Sequence, residues 1–442
     1  MDASAHFHRK KITLIGLGLL GRGVGDARFL AECGADLIVT DLKSEAELAE
    51  SLAALKGFQN ISYTLGHHAL EDFRGRDLIV KAAGVPLNSP FIEEARKEGT
   101  PVRMSADLFA EYAGIPIVGV TGTRGKSTVT HMIQAVLVAA GKKVLLGGNV
   151  RGVSTFALLE QVHGDEVAVL ELDSWQLQGF GEVKKSPHIS VFTTFFPDHL
   201  NYYKESPNQY LADKANIFLY QNEHDTLVLG AQAATIVRDT YQDEILSEIV
   251  IANEDDVPKD WVLQIPGEHN RYNAGLALAV ARTLLIEDVI SRKALESFKG
   301  VPGRLEFLRE VNGVKFYNDT TATTPEATLA ALHALGKENV SNLILIMGGA
   351  DKNLDMNKLL LEIPKRTKRV IMLAGSGTSR ICTWLPEASI FDSLSAAVAE
   401  AFAFAVSGDI ILLSPAFASF GMFKNEYDRG DQFVTLVQAY GN

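Results

Sequence analysis

The run Pro-Ile-Val-Gly-Val-Thr-Gly-Thr-Arg-Gly-Lys-Ser-Thr at residues 116–128 constrains the fold more than any other stretch of the chain. An apolar segment rich in β-branched residues ends at glycines, and a helical pattern follows through Val138. A strand, a glycine-rich turn and a helix in this order bring backbone N–H groups and the positive end of a helix to one point. That arrangement favours the phosphates of a nucleoside triphosphate. Lys126 supplies a charge for the outer phosphates, and Ser127 or Thr128 can reach a Mg²⁺ ion.

The spacing of this phosphate loop (residues 122–128) departs from the common pattern, because Val120 stands where a glycine is usual. The glycines lie instead at positions 119, 122 and 125. The alternative is a glycine-rich turn that merely opens a core helix. A Gly-Lys-Ser-Thr run at a strand-to-helix junction favours nucleotide binding over that alternative.

Composition limits the class of protein and the kinds of partner. The chain has 442 residues, 47% of them hydrophobic and 22% charged, which predicts a soluble protein of several domains with large cores. Its net charge of −12 argues against a nucleic-acid partner, because binding to a phosphate backbone requires a basic face. Cys33 and Cys382 are too few for a disulfide framework or a thiolate metal site. No signal peptide or membrane span is recognisable, so we expect a cytoplasmic protein without membrane insertion.

A second glycine motif lies near the N-terminus. The strand-like residues 11–15 run into Gly-Leu-Gly-Leu-Leu-Gly at 16–21, and the next predicted strand ends in Asp41. This pattern is typical of a dinucleotide-binding βαβ unit, so taken alone it favours NAD. The same loop would serve any ligand with a diphosphate, and a βαβ core without a ligand is a third interpretation.

Two candidate functional residues lie at strand ends in the middle of the chain. Glu171 lies near the end of the predicted strand 166–172, and His199 follows the predicted strand 189–196. Ligands of open α/β sheets bind at the carboxyl ends of strands, so a carboxylate here suits Mg²⁺ and an imidazole suits a functional site. A solvated glutamate and a structural histidine are the alternative interpretations.

The later part of the chain offers less specific signals. Lys214 lies in a predicted helix over residues 207–220, where a lone lysine is ordinarily exposed. Polar residues at 267–273 open an alanine-rich helix and can either cap it or contact a base. Beyond a linker at 300–304, four predicted strands end in residues rich in Gly, Ser, Thr, Asp and Lys, which predicts a ligand-facing sheet edge.

Assembled in order, these motifs resemble the Mur ligases of peptidoglycan synthesis over nearly the whole chain, from Lys11 to Phe433. The order and spacing of the motifs carry the resemblance. They are residues 122–128, Glu-Leu-Asp-Ser-Trp-Gln-Leu at 171–177, Asp198-His199, Lys214, His269-Asn270 with Asn273, Arg304, Asn318-Asp319, Gly348-Gly349 with Lys352, and Ser414-Pro415-Ala416. The Ser-Trp-Gln-Leu run resembles the branch of the family that adds D-glutamate.

We expect an α/β protein of three domains, each built on a mostly parallel sheet. Residues 1–112 would form a Rossmann-like domain that holds the UDP part of a substrate. Residues 113–300 would form a central ATP-binding domain like the phosphate-loop ATPases, and residues 301–442 a Rossmann-like domain that binds the incoming amino acid. The expected quaternary state is a monomer.

The resemblance implies an ATP- and Mg²⁺-dependent ligase that joins glutamate to UDP-MurNAc-L-Ala through an acyl phosphate. The residues implied in catalysis are Lys126, His199, Lys214 and Glu171. Those implied in ATP binding are Gly122, Thr123, Gly125, Lys126, Ser127, Thr128, Asn270, Asn273, Arg304 and Asp319. Those implied for the UDP substrate are Gly16, Gly18, Leu19, Leu20, Gly21, Asp41, Gly84 and Asn149, and for the amino acid Thr323, Lys352 and Ser419. The implied metal ligands are Ser127, Glu171, His199 and Lys214, the last as a carbamate.

The chain departs from the family pattern at four places. Residues 82–84 read Ala-Ala-Gly where Ser-Pro-Gly is usual, and Gly303 replaces a frequent histidine. Thr321 replaces a common lysine, and Glu426 stands where we expect an aromatic residue. A second carboxylate near a glutamate site is unfavourable unless it is paired or points away. A ligase of the same fold that adds L-glutamate or another amino acid is therefore an alternative.

Two alternatives come from other classes of protein. An NAD-dependent oxidoreductase built on residues 16–41 would not account for the loop that carries Lys126. A nucleotide-binding regulatory protein without catalysis would not account for the presence of Glu171, His199 and Lys214 together.

Overall fold

The chain forms three β-sheets with helices between the strands in the computed structural model, which describes residues 3–19, 21–196, 202–203, 206–336 and 342–440. Two compact units make up the chain: Met1–Trp261 with Tyr272–Leu295, and Val262–Arg271 with Glu296–Asn442. The first unit contains two sheets and the second contains one. The predicted α/β class with mostly parallel sheets is confirmed. Among the described helices, none is both long and apolar enough to cross a membrane.

The first sheet has five parallel strands in the order β3-β2-β1-β4-β5. The chain order reverses between β1 and β4, and such a switch point leaves a crevice at the carboxyl ends of the two strands. The strands are β1 Lys11–Ile15, β2 Asp36–Asp41, β3 Ile61–Leu65, β4 Leu78–Lys81 and β5 Val102–Arg103. The helices are α1 Ala3–Phe7, α2 Arg22–Glu32, α3 Ala49–Ala53, α4 Pro90–Lys97 and α5 Ser105–Tyr112.

The second sheet has six parallel strands in the order β11-β10-β9-β6-β8-β7. All five residues of β6 are buried, as expected for a central parallel strand covered by helices on both faces. The strands are β6 Ile117–Thr121, β7 Lys143–Gly148, β8 Glu166–Glu171, β9 Ile189–Phe192, β10 Thr226–Gly230 and β11 Glu248–Ala252. The helices are α6 Lys126–Ala139, α7 Ser174–Glu182, α8 Pro207–Ala215, α9 Ala231–Tyr241, α10 Glu268–Thr283 and α11 Asp288–Glu296.

The third sheet has the order β12-β13-β17-β14-β15-β16. Its edge strand β12 is antiparallel to β13, and the other neighbours are parallel. Asn312 and Gly313 join β12 to β13 with positive φ angles of 51° and 78°, as in a tight hairpin turn. The strands are β12 Glu306–Val311, β13 Val314–Asn318, β14 Leu343–Gly348, β15 Arg369–Leu373, β16 Ser389–Phe391 and β17 Ile410–Leu413. The helices are α12 Pro325–Leu335, α13 Asn357–Arg366, α14 Ser376–Ile381, α15 Leu394–Phe404 and α16 Glu426–Ala439.

Two elements are shorter than the sequence predicted. The helix predicted over 207–220 ends at Ala215, because the next amides, of Ile217 and Phe218, bond three residues back in tight turns. The strand predicted over 189–196 ends at Phe192, because the following residues pair with the phosphate loop instead. The second correction places the polar groups of Thr193 and Thr194 next to that loop.

Candidate functional site

The phosphate loop follows β6 and leads into α6, as predicted. Gly122 and Gly125 have φ angles of 139° and 86°, conformations that side chains rarely adopt. A Cβ on Gly122 would lie 2.0 Å from Thr193 Oγ1, and a Cβ on Gly125 would lie 2.5 Å from Asn273 Oδ1. The loop therefore requires glycine at both positions for shape and for space.

Lys126 is the first residue of α6, and its side chain lies over the loop. Its Nζ donates to the carbonyl oxygens of Gly122 at 3.1 Å and Thr123 at 3.2 Å. Ser127 is buried one residue further along the first turn of α6, and Thr128 is partly exposed. The ammonium and the helix N-terminus therefore converge above the loop, where an anionic ligand is favoured.

Residues after β9 fix the other side of the loop. Thr123 N donates to Thr194 O at 2.7 Å, and Arg124 N donates to Thr194 Oγ1 at 3.0 Å. The guanidinium carbon of Arg124 lies 5.6 Å from the centre of the Phe196 ring. These hydrogen bonds fix the shape of the loop before any ligand binds, which reduces the entropy lost on binding.

Glu171 is the last residue of β8, which pairs with β6 on one side and β7 on the other. The residue is only 3% exposed, yet no group among the described residues donates a hydrogen bond to its carboxylate. A carboxylate at the carboxyl end of a strand beside the phosphate loop is suited to a cation. The carboxylate therefore fits the predicted Mg²⁺ site.

Lys214 of α8 reaches the same loop from a buried position. The residue is 1% exposed, and its Nζ lies 2.9 Å from Gly122 O and 3.4 Å from Thr121 Oγ1. The interpretation of Lys214 as an ordinary surface lysine is therefore wrong. Burial raises the pKa of the neighbouring Asp213 carboxyl, which accepts hydrogen bonds from Gln178 and others.

His199 lies outside the described residues, as does Asp198, so the structure does not position this predicted ligand. Among the residues that are described, no three His, Cys, Asp or Glu side chains meet in a metal-binding arrangement. Ser127, Glu171 and Lys214 each lie on elements that adjoin the phosphate loop: α6, β8 and α8.

A cavity of about 340 Å³ lies at the switch point of the first sheet. The residues predicted to bind the UDP substrate that line it are Gly16, Gly18, Leu19, Gly84 and Asn149. Leu20 lies outside the described residues. Gly21 lies at the N-terminus of α2 with a φ of 81°. The structure therefore brings most of this predicted group together around one cavity.

Asp41, predicted to contact the UDP substrate, bonds to the backbone of the glycine loop. Its Oδ2 accepts from Gly18 N at 3.0 Å and its Oδ1 from Lys43 N at 2.9 Å. The residue is 4% exposed. Its carboxylate thus braces the glycine loop, and both of its oxygens are already engaged by backbone N–H groups.

Three charged side chains that line this cavity were not predicted from the sequence. Arg22 Nη1 donates to Asn149 Oδ1 at 2.6 Å, which links α2 to the end of β7. Asp26 accepts from Ser105 Oγ at 2.9 Å and Ser154 Oγ at 2.6 Å, and burial raises its pKa to about 6. Lys81 is the third. None belongs to a recognisable motif, and the only sequence signal was charge inside otherwise apolar elements.

In the second unit, the predicted ATP residues Asn270, Arg304 and Asp319 have different environments. Asn270 is buried and its Nδ2 donates to Pro266 O at 2.7 Å, whereas Arg304 is exposed. Asp319 accepts from Ser414 Oγ at 2.7 Å and Leu305 N at 3.1 Å. Burial raises the pKa of its carboxyl to about 7.

The residues predicted to bind the amino acid lie on loops after β13, β14 and β17. Lys352 Nζ donates to Thr323 Oγ1 at 3.0 Å. Ala350 and Ala418 exchange two backbone hydrogen bonds, of 2.9 and 3.1 Å, so the loop of Lys352 runs beside that of Ser419. The Ser419 hydroxyl is buried and has no hydrogen-bond partner among the described residues, which leaves it available to a ligand.

Two of the departures from the family pattern contact each other. Thr321 Oγ1 donates to Gly303 O at 2.9 Å, and Thr321 N donates to the same oxygen at 3.1 Å. Gly303 has a φ of 75°. Glu426 is partly buried at the start of α16, and its carbonyl oxygen accepts from Thr320 Oγ1 at 2.8 Å.

Comparison with known proteins agrees with this arrangement. Three family models match: the Mur ligase MurD-like N-terminal domain at residues 10–104, the Mur ligase middle domain at 120–262, and the Mur ligase glutamate ligase domain at 303–417. Similar curated proteins include two named UDP-N-acetylmuramoylalanine--D-glutamate ligase. The one from Roseiflexus sp. (strain RS-1) is 35% identical, covering 98% of this chain and 99% of the relative. The one from Borreliella afzelii (strain PKo) is 37% identical, covering 97% of each.

Solved structures of similar fold include two ligases from Thermotoga maritima. UDP-N-acetylmuramate-alanine ligase MurC has a TM-score of 0.64 at 20% identity, covering 97% of this chain and 99% of that one. MurF ligase in complex with ADP has a TM-score of 0.59 at 16% identity, covering 99% and 96%. At these identities the likeness supports the fold alone, whereas the curated relatives share a third or more of their residues over nearly the full length. The chain therefore belongs to the Mur ligase family.

Proposed function

We propose that this chain is an ATP-dependent ligase that joins D-glutamate to UDP-N-acetylmuramoyl-L-alanine, with ADP and phosphate as the other products. The observation that carries the proposal is the phosphate loop with Lys126 next to the buried Glu171 on the adjoining strand. The substrates come from the curated relatives, which are named as this ligase over nearly their full length.

The reaction must make a carboxylate electrophilic. The γ-phosphoryl group of ATP is transferred to an oxygen of the alanine carboxylate, which gives an acyl phosphate and ADP. The glutamate nitrogen then attacks the carbonyl carbon, the bond from carbon to the phosphate oxygen breaks, and the nitrogen loses a proton. An amide and inorganic phosphate remain.

The phosphate loop would hold ATP. Its backbone N–H groups and the N-terminus of α6 favour the phosphates, and the Lys126 ammonium offsets charge that builds on the transferring group. The side-chain oxygen of Asn273 lies close to Gly125 of this loop, which supports a place for Asn273 in the ATP site. Residues proposed to complete the ATP site are Gly122, Thr123, Ser127, Thr128, Asn270, Arg304 and Asp319.

The residues around the loop fit a Mg²⁺ ion. Ser127, the unpartnered carboxylate of Glu171 and a carbamate on Lys214 would hold the metal, with His199 proposed from the family pattern. When bound, Mg²⁺ stabilises negative charge on phosphoryl oxygens. A carbamate forms when a neutral lysine amine adds to CO₂ and loses a proton, and Lys214 is buried beside the phosphate loop, where such a group would reach the metal.

The cavity of the first sheet would hold the nucleotide part of the substrate. Glycines 16, 18 and 21 allow close approach of backbone N–H groups to a diphosphate, and the N-terminus of α2 adds positive potential. Asp41 would act by bracing the loop, since both of its oxygens accept from backbone amides.

The loops of Thr323, Lys352 and Ser419 would bind glutamate. A lysine ammonium suits a carboxylate, and a buried hydroxyl without a partner suits a second polar group of the same ligand. Glu426 lies one turn before Arg429, whose positive charge lies close enough to oppose repulsion of an acidic substrate.

We further propose three domains at 1–112, 113–300 and 301–442, a monomer, and a cytoplasmic location. Each family match falls inside one of these ranges. Substrates that are nucleotides and a requirement for ATP suit the cytoplasm. Light scattering of the purified protein would test the monomer directly.

The test is phosphate release by the purified protein with UDP-MurNAc-L-Ala, ATP and Mg²⁺, run with D-glutamate, with L-glutamate and without an amino acid. Release that depends on D-glutamate is the expected result. Release with L-glutamate alone would overturn the choice of amino acid and shift attention to Thr321 and Glu426. No release in any reaction would overturn the proposed activity.

A further inference from the structure

Lys81 is the last residue of β4 and lies at the switch point of the first sheet. It is paired in register with Ile15, the last residue of β1, so it lies level with the start of the glycine loop at Gly16. It also lines the cavity proposed for the nucleotide. Residues 82–84 that follow it lack the hydroxyl of the usual Ser-Pro-Gly turn.

The charge of Lys81 is buried without a counter-ion. The residue is 2% exposed, and among the described residues no carboxylate oxygen lies within 4 Å of its Nζ. Burial lowers the pKa of the ammonium to about 8, although Asp173 and Asp107 oppose the shift from further away. A cation retained at such a cost is expected to act on an anion that binds nearby.

The hydrogen bonds of Lys81 fix the direction of the next turn. Its Nζ donates to Val85 O at 2.9 Å, Ala83 O at 3.3 Å and Ala82 O at 3.4 Å. In a trans peptide the N–H points opposite to the C=O, so the N–H groups of Ala83 and Gly84 point away from the lysine. Within the described residues neither N–H donates a hydrogen bond, and both residues line the cavity.

This turn is also packed tightly against the glycine loop. A Cβ on Gly16 would lie 2.8 Å from Ala82 Cβ, so a shift of the turn would displace the loop. We propose that Lys81 is a positioning residue for the nucleotide-linked substrate. Its hydrogen bonds orient the turn so that the N–H groups of Ala83 and Gly84 face the diphosphate of that substrate. This inference rests on the proposed function and deepens it.

The test compares Lys81→Met, which removes both charge and donors, with Lys81→Gln, which keeps two N–H donors. Lys97→Met, at a lysine on α4 whose side chain is 71% exposed, is the matched control. In Lys81→Met we expect KM for UDP-MurNAc-L-Ala to rise about tenfold or more, with kcat and KM for ATP within about twofold. Lys81→Gln is expected to fall between wild type and Lys81→Met. If Lys81 only stabilised the fold, Lys81→Met would have a lower melting temperature and a smaller active fraction, but its KM for UDP-MurNAc-L-Ala would equal that of wild type.

Direct titration of UDP-MurNAc-L-Ala by calorimetry separates this inference from the proposed function. Weaker binding to Lys81→Met than to wild type and Lys97→Met is the expected result. Equal dissociation constants would overturn the role of Lys81 even if wild type is fully active. A wild-type protein that binds the substrate but releases no phosphate would overturn the proposed function and leave the binding comparison intact. A wild type that does not bind would overturn both.

Discussion

The first unit contains two glycine loops that make the same backbone turn before a helix. Gly21 precedes α2 with φ 81° and ψ −17°, and Gly125 precedes α6 with φ 86° and ψ −16°. Both loops follow the central strand of a parallel sheet at its switch point. From backbone geometry alone, both loops would therefore be predicted to bind phosphate groups.

The side chains around the two loops differ. Arg22 starts α2 and bonds across to Asn149, whereas Lys126 starts α6 and bonds back onto its own loop. The carboxylate of Asp41 braces the first loop, while backbone groups of residues after β9 brace the second. Under the proposed function, two loops with one backbone design would hold a diphosphate that stays intact and a triphosphate that reacts.

The largest difference is expected at Lys214, whose buried Nζ donates to the Gly122 carbonyl of the second loop itself, whereas the buried Lys81 donates to a neighbouring turn beside the first loop. Lys214→Ala should abolish ligation, because a carbamate ligand of the metal is lost, and added salts should not restore it. Turnover is measured as phosphate release, with binding of UDP-MurNAc-L-Ala as the check that the first loop is intact. Lys185→Ala, at an exposed position, is the control. Undiminished turnover would exclude the carbamate.

The next largest effect is expected at Lys126. Lys126→Ala should lower kcat/KM by about a thousandfold, because charge on the transferring phosphoryl group loses its stabilisation. Affinity for UDP-MurNAc-L-Ala should not change, since that substrate belongs to the other loop. Lys142→Ala, exposed just beyond α6, should behave as wild type. Loss of both affinities in Lys126→Ala would contradict separate roles for the loops.

A smaller effect is expected on stability at Asp26, on the helix after the first loop. Its pKa is raised from 3.8 to about 6, mainly by burial, so the folded state binds more protons than the unfolded state between these values. Stability contributed by this group is therefore lost as pH rises from about 4 to 6, by about 3 kcal/mol at most. Asp26→Asn should show a shallower decline in the free energy of unfolding over this window. Parallel curves for the two proteins, from denaturant titrations, would contradict the shifted pKa.

The smallest effects are expected from alanine at the two matched glycines. Gly21→Ala adds a side chain whose nearest neighbour is 3.7 Å away, so only the left-handed backbone costs energy, about 1 kcal/mol. Gly125→Ala also pushes on Asn273 Oδ1 at 2.5 Å, so it should lower stability further and raise KM for ATP. Equal losses in the two variants would show that space around the loops does not distinguish them.

The sequence predicted features that depend on neighbours along the chain. The phosphate loop, the first glycine loop and the mostly parallel sheets follow from local patterns of glycine and apolar residues, and the fold class is confirmed. The buried position of Lys214 was missed because helical periodicity does not show that α8 faces the loop after β6. Arg22 and Asp26 were missed because their partners lie on other elements, up to 128 residues away in the case of Asp26 and Ser154. Lys81 was missed because its bonds to the carbonyls of the next turn form no recognisable sequence motif. The roles assigned to the site residues stay predictions.

The contact between Gly303 and Thr321 links two of the departures from the family pattern. Each residue alone looks like a lost family side chain, yet Thr321 bonds twice to the carbonyl of a glycine whose φ is 75°. A Cβ at 303 would lie 3.0 Å from Thr320 Cγ2 and 3.4 Å from Thr321 Cγ2. A histidine at 303 would therefore press on Thr320 and strain a left-handed backbone, whichever residue stands at 321. The two departures are therefore coupled in the folded chain: the turn at Gly303 aims the carbonyl that Thr321 binds, so a substitution at either position disturbs the setting of the other.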